Sequence, residues 1–183
     1  MKQGFPELRD ANVQRAIEWS NGGDGGSFYA VELFGEAGEA LNVVKKLERE
    51  RLGMVGSRAT VDDLAAELAD VIICIDLLAI AYGLTPVESI KVGDVRFPLT
   101  ESVALGRCIG DVMSAVESLE IEDTFYEEYR SQDVLWMALA NAQMFTILLA
   151  RAYDIDLTAA VTTKFNTTSA KYGLTTKMKE VSA

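Results

Sequence analysis

The chain has no histidine. That absence excludes Ser-His-Asp triads, HExxH zinc sites and imidazole acid–base chemistry. Cysteine is nearly absent. Cys74 and Cys108 lie too far apart for a metal-binding spacing and read as reduced core thiols of a cytoplasmic protein. Only three prolines interrupt the chain. Positive charge is scarce: 17 Lys and Arg face 28 Asp and Glu, a net charge of −11. This argues against broad electrostatic binding to DNA, RNA or anionic membrane. No signal peptide is expected, because Met1-Lys2-Gln3-Gly4 leads into polar sequence. The longest apolar run, Val71 to Tyr82, is broken by Asp76 and too short to span a bilayer.

What is present is helical sequence. The 183 residues are 49% hydrophobic, rich in alanine and leucine, and their apolar positions recur at helical spacing, which predicts an all-α fold. Two acidic pairs stand out, Glu36-Ala-Gly-Glu39 and Glu67-Leu-Ala-Asp70. Residues three apart share a helix face, so each pair aims two carboxylates at one place. Two such helices face to face make a four-carboxylate cage, which repels itself unless cations intervene. Hard Mg²⁺ or Mn²⁺ is the expected guest of Glu36, Glu39, Glu67 and Asp70.

Along the chain, 5–19 reads as a first helix with a stripe of Leu8, Val13, Ala16 and Ile17. Asn21 to Ser27 holds four glycines, either a linker or a flap near a ligand, with Ser27 a candidate cap. In the long helix from Phe28 to Arg51, Ala30, Leu33, Phe34, Ala37, Leu41 and Val44 form the apolar arc, and Glu32, Glu36 and Glu39 another. Lys46, two turns beyond Glu39, is either a surface neighbour or a cation reaching a metal-bound phosphate. Thr60 caps the helix from Val61 to Tyr82, which carries Asp63, Glu67, Asp70 and Cys74 on one line. Asp76 is open between a supporting acceptor, a ligand of another set and a solvent-facing acid. A short helix after Pro86, a connector over 93–99, and helices 101–119, 131–153 and 156–173 complete the reading. The acids of 116–128 are assigned to a solvated turn.

A worn repeat is visible at an offset of 71 positions: Leu148 to Tyr153 falls on Leu77 to Tyr82. At that offset Glu36, Glu39, Glu67 and Asp70 meet Arg107, Gly110, Ala138 and Asn141, so the second unit keeps the helices and loses the acids. The expected organisation is a helical module over 1–94 carrying the metal site. A degenerate second module with a closing helix (154–174) fills 95–183, the two packed as one unit.

Glu36-Ala-Gly-Glu39-Ala-Leu-Asn42, Lys45-Lys46-Leu-Glu-Arg-Glu-Arg51, Gly56-Ser-Arg58-Ala-Thr60 and Glu67-Leu-Ala-Asp70-Val-Ile-Ile-Cys74 occur in this order. With Lys164-Phe-Asn166 and Lys171-Tyr172-Gly173 near the end, they resemble the MazG-like all-α nucleoside triphosphate pyrophosphatases. The resemblance covers roughly 12–85 and 154–174. The chain departs from the single-module form by about seventy intervening residues, and is similar there to relatives with two fused modules, including dimeric dUTPases.

The resemblance implies a helical bundle that hydrolyses a (d)NTP between the α and β phosphates to (d)NMP and pyrophosphate, with two or three Mg²⁺ or Mn²⁺ ions. It implies Glu36 or Glu39 as the catalytic carboxylate, with Glu36 favoured. Lys164, Lys171 and Lys46 would neutralise phosphates, Asn166 and Tyr172 would hydrogen-bond sugar or phosphate, and Trp19 would stack on the base. The expected partner is a small-molecule nucleotide, with no nucleic acid or membrane, and a homo-oligomer, dimer or tetramer, in the cytoplasm of a cell or of a phage host. The base remains open. The competing reading is a non-catalytic helical module that senses nucleotide or binds a protein.

Overall fold

The computed structural model describes residues 2–3, 5, 7–20, 25–85, 90–91, 94, 97–120 and 132–179. The fold is all-α. Among the described residues, six helices, α1 (Leu8–Ser20), α2 (Gly26–Arg51), α3 (Val61–Ala81), α4 (Pro98–Glu120), α5 (Gln132–Ala152) and α6 (Leu157–Lys171), are joined by one two-residue antiparallel pairing, β1 (Lys2–Gln3) with β2 (Ile90–Lys91).

Helices α2 to α5 form a four-helix bundle in which α2 packs on α3 and α4, and α5 on α3 and α4. Contacts at the ends fix the directions. Ser27 at the start of α2 donates its backbone N–H and its hydroxyl to Glu120 at the end of α4. Gln132 and Trp136 at the start of α5 donate to the carbonyls of Tyr82 and Thr85 past the end of α3. Neighbours therefore run antiparallel. α1 and α6 both lie against α3, the most deeply buried helix. By length and composition α5 could cross a membrane, and 56% of its apolar window is buried within the bundle.

The helix ends follow local chemistry. Thr60 and Asp63 form a reciprocal capping box, with the Thr60 N–H on Asp63 at 2.8 Å and the Asp63 N–H on Thr60 at 3.1 Å. Asp156 caps α6 by accepting from the N–H groups of Thr158 and Ala159. α3 and α5 stop in the same way. Gly83 (φ 65°) and Asp154 (φ 55°) turn left-handed, and Leu84 and Ile155 donate back to Ala79 and Ala150 at 2.8 and 2.9 Å.

The halves correspond further. On α3 the buried Leu64, Leu68, Val71, Ile72, Ile75, Leu78 and Ala79 recur 71 positions later on α5, as Leu135, Leu139, Ala142, Gln143, Thr146, Leu149 and Ala150, all buried. On α2 the buried Ala30, Leu33, Ala37, Ala40, Val43 and Val44 recur 72 positions later on α4, as Ser102, Leu105, Ile109, Val112, Ala115 and Val116. Packing thus shifts the α4 register by one residue from the sequence alignment.

Several local expectations change. In α1 the inner face is Leu8, Ala11, Asn12 and Arg15, and Ile17 is 59% exposed. Polar partners on α3 and α6 reward that face in place of the apolar stripe. Phe34, placed in the buried arc of α2, is 57% exposed. Ser27 is not a cap: α2 begins at Gly26 behind Gly25, and Ser27 serves Glu120 instead. The connector of 93–99 is shorter than expected, since α4 opens at Pro98, whose fixed φ suits a first turn. Residues 116–120 of the expected acidic turn, Glu117 and Glu120 among them, belong to α4, and Glu120 is engaged by Tyr82 and Ser27; 121–128 lie outside the described residues. So do 86–89, where the short helix was expected, and Ile90–Lys91 that follow are strand.

Candidate metal centre and its cavity

Helices α2 and α3 pack side by side, which brings the i, i+3 acids of each toward the other. Glu36, Glu67 and Asp70 converge, each offering a carboxylate oxygen within 4.8 Å of the other two. Glu39 stands apart from this trio on an exposed part of α2, although its charge still bears on all three. Three of the four expected acids therefore meet.

The trio is electrostatically strained. Burial, then repulsion by Asp70, Glu39 and Glu67, pushes Glu36 up to about 7. Burial likewise raises Glu67 and Asp70. Lys164 from α6 answers part of the charge, its Nζ 2.5 Å from Asp70 Oδ2. Burial works against the Lys164 charge, but Asp70, Glu67 and Glu36 outweigh it and hold the ammonium above its usual range. Three hard oxygen donors whose mutual repulsion Lys164 relieves only in part, with no softer nitrogen or sulfur among them, fit a divalent Mg²⁺ or Mn²⁺ ion.

The cluster opens into a cavity of about 360 Å³ between α1, α2, α3 and α6. Glu36, Asp70 and Lys164 line one part of it. Trp19, Phe28, Tyr29 and Tyr172 supply aromatic wall, and Arg15 and Lys171 add cations. Trp19 and Tyr172 meet with ring centroids 4.8 Å apart. The Arg15 guanidinium lies 3.6 Å from the Phe165 ring centroid and donates to the Phe165 carbonyl at 3.3 Å. Its burial lowers it to about 10, so it stays charged, with Asp70 supporting the charge.

Of the expected substrate residues, Trp19, Lys164, Lys171 and Tyr172 line this cavity. Asn166 does not. Its amide holds the chain after α6, donating to the Met178 carbonyl at 3.0 Å and accepting from the Met178 N–H at 2.8 Å. Lys46 is not among the lining residues either, and its charge bears on Asp63, at the start of α3. Asp76 is neither a ligand nor a solvent-facing acid. It accepts from Arg9 Nε at 2.8 Å and Asn12 Nδ2 at 2.9 Å, tying α1 to α3.

The sequence reading missed Asn12 and Arg15. Arg15 stands four residues before Trp19, on the same face of α1, and that spacing was the available signal. Comparison with known proteins finds no matching family model, no matching curated protein and no matching solved structure.

Proposed function

We propose that the chain is a divalent-metal-dependent nucleoside triphosphate pyrophosphohydrolase of the MazG-like type. It would cleave a (d)NTP between the α and β phosphates to (d)NMP and pyrophosphate. The observation that carries this reading is the meeting of Glu36, Glu67 and Asp70 at a cavity that also holds aromatic rings and cations. A polyphosphate of roughly four negative charges cannot approach a cluster of acids unaided. Held there by Glu36, Glu67 and Asp70, with the charge of Glu39 adding to theirs, Mg²⁺ would supply charge neutralisation and Lewis-acid polarisation of the phosphoryl oxygens.

The chain's own side chains divide the remaining work. Glu36, the carboxylate favoured for the role, orients the attacking water and accepts its proton. Lys164 and Lys171 neutralise the departing pyrophosphate. Trp19 and Tyr172 offer the base an aromatic face. We also read α4 and α5 as a degenerate copy of α2 and α3. The matched burial at offsets of 72 and 71 supports this, and the copy would occupy the place of a second subunit.

The test is a panel of the common NTPs and dNTPs plus dUTP, with Mg²⁺, assayed for pyrophosphate. Release from at least one nucleotide, abolished by EDTA and by Glu36→Gln, is expected. Orthophosphate as the product, or undiminished release in Glu36→Gln, overturns the assignment. Nucleotide binding with no turnover would favour a sensing module instead.

A further inference from the structure

The Asn12 carboxamide is 0% exposed, lines the cavity and is only half used. Its Nδ2 faces two acceptors, Asp76 Oδ2 at 2.9 Å and the Ile73 carbonyl at 3.4 Å. Only an NH₂ group can face a carboxylate and a carbonyl together, so chemistry fixes the orientation of the amide. The oxygen Oδ1 must lie on the other side, and it has no hydrogen-bond partner among the described residues. Asp76 cannot turn away to relieve the amide, because Arg9 holds its other oxygen at 2.8 Å. A buried acceptor left unmet is costly, and a buried network normally closes on itself. Here the network runs from the Leu84 carbonyl through Arg9 and Asp76 to Asn12 and leaves two atoms without a partner among the described residues, Arg9 Nη2 and Asn12 Oδ1, and of the two residues only Asn12 lines the cavity.

From this we infer that Asn12 is a specificity-determining residue, whose Oδ1 accepts a hydrogen bond from an N–H or O–H donor on the nucleoside part of the substrate. The inference rests on the pyrophosphohydrolase reading above. Position supports it: Asn12 reaches the Ile73 carbonyl one helical turn past Asp70, and Asp76 nearly two turns past it. A nucleotide with its phosphates at Asp70 carries its nucleoside either toward Asn12 or toward Trp19, seven residues further along α1, and the inference places it toward Asn12. Arg9 and Asp76 fix the side chain, so a substrate lacking the donor strands the oxygen, which is how a polar site rejects an analogue.

The donor is either a sugar hydroxyl or a base N–H, and substrate analogues separate the two on the unmodified protein. The nucleotide turned over best in the panel is compared with its 2′,3′-dideoxy form and with its form methylated at the base N–H groups. One analogue should lose about ten- to a hundredfold in kcat/KM. In Asn12→Ala the parent nucleotide should fall by a similar factor, and the difference between parent and that analogue should vanish. Equal turnover of the parent and both analogues by the unmodified chain overturns the inference, whether or not Asn12→Ala folds. A discrimination that survives intact in folded Asn12→Ala overturns it as well. Absence of pyrophosphate from every parent nucleotide is a different failure, which removes the enzymatic reading itself.

Discussion

Two helix pairs of one bundle make an instructive comparison. α2–α3 and α4–α5 bury matching positions, stop α3 and α5 with the same left-handed turn, and bridge the pairs with matching side chains. Tyr82 beyond α3 donates to Glu120 at the end of α4 at 2.7 Å, and Tyr153 beyond α5 donates to Glu48 near the end of α2 at 3.1 Å. The tyrosines are 71 positions apart and the glutamates 72, the offsets of the buried faces. Yet where the first pair has Glu36, Glu67 and Asp70, the second has Cys108, Ala138 and Asn141. Cys108 and Ala138 are buried, Asn141 is exposed, and the three offer a hard cation no carboxylate. A bundle needs only its inner apolar stripe to pack. The acids lie beside that stripe, so a helix pair can lose them without losing its place in the fold.

The sharpest way to break the comparison is to change matched residues in both pairs. Asp70→Asn should reduce pyrophosphate release by roughly a hundred- to a thousandfold, the size of losing one preorganised electrostatic group. Its counterpart Asn141→Ala, and Asp111→Asn opposite Glu39, should stay within about twofold, as exposed positions do. Steady-state kinetics of the three variants decide the matter. A large loss in either second-pair variant would mean that α4–α5 carries chemistry of its own.

Stability should show the reverse, with the two pairs equal. Leu68 and Leu139 are matched and fully buried. Truncating either to alanine should cost about 2–5 kcal/mol in a denaturant titration, through lost transfer energy and the cavity left behind. A second pair that merely decorates the first would give a much smaller loss for Leu139→Ala.

The tyrosine bridges test a finer distinction. Glu48 is 5% exposed and is also held by Arg51 at 2.8 Å, whereas Glu120 is on the surface. Removing the hydroxyl beside a buried carboxylate costs more than removing it beside a solvated one. Tyr153→Phe should lose about 1–2 kcal/mol and Tyr82→Phe less than about 1 kcal/mol, read from the same titrations.

How much of this was legible in the sequence depends on how far each feature reaches along the chain. The acid pairs are i, i+3 features of single helices, so the pattern placed Glu36, Glu67 and Asp70 before any packing was known. Glu39 was missed as the outlier because a rule about faces does not say where solvent begins. The inner face of α1 was misread for a different reason. Asn12 is buried and Arg9 half-buried against Asp76, more than sixty positions away, and hydrophobic periodicity records no polar partner at that distance. Asn166 looked like a ligand-binding amide in its Lys-Phe-Asn setting, but a backbone twelve residues on claims it. The one-residue shift of α4 was legible once α2 and α4 are aligned by themselves: at 72 positions Val31, Leu33, Gly38, Val44, Leu47 and Glu48 meet identical residues, and at 71 only Gly35 does.

The smallest expected effect is also the one that isolates the acid cluster as the difference between the pairs. Burial and then mutual repulsion raise Glu36 to about 7 and raise Glu67 and Asp70 in the same direction. Across the interval from the ordinary glutamate value of about 4.3 up to about 7, the folded chain therefore holds more protons than the unfolded one. Stability must then fall as pH rises through that window, the opposite of a salt-bridged carboxylate. Glu18, Asp63 and Glu120 are shifted downward by hydrogen bonds, and their contribution is present above their unfolded values and lost only at more acid pH, so they do not obscure the interval. In EDTA the melting temperature should be a few degrees higher near pH 5.5 than near pH 7.5. Glu36→Gln should flatten that slope and melt higher than the parent at the upper pH. Added Mg²⁺ should raise the parent more at about pH 7.5 than at about pH 5.5, because protons and metal compete for the same oxygens. A melting temperature in EDTA that climbs steadily toward pH 7.5 would show that the three carboxylates are relaxed in the folded chain, and the distinction between the two helix pairs would lose its electrostatic content.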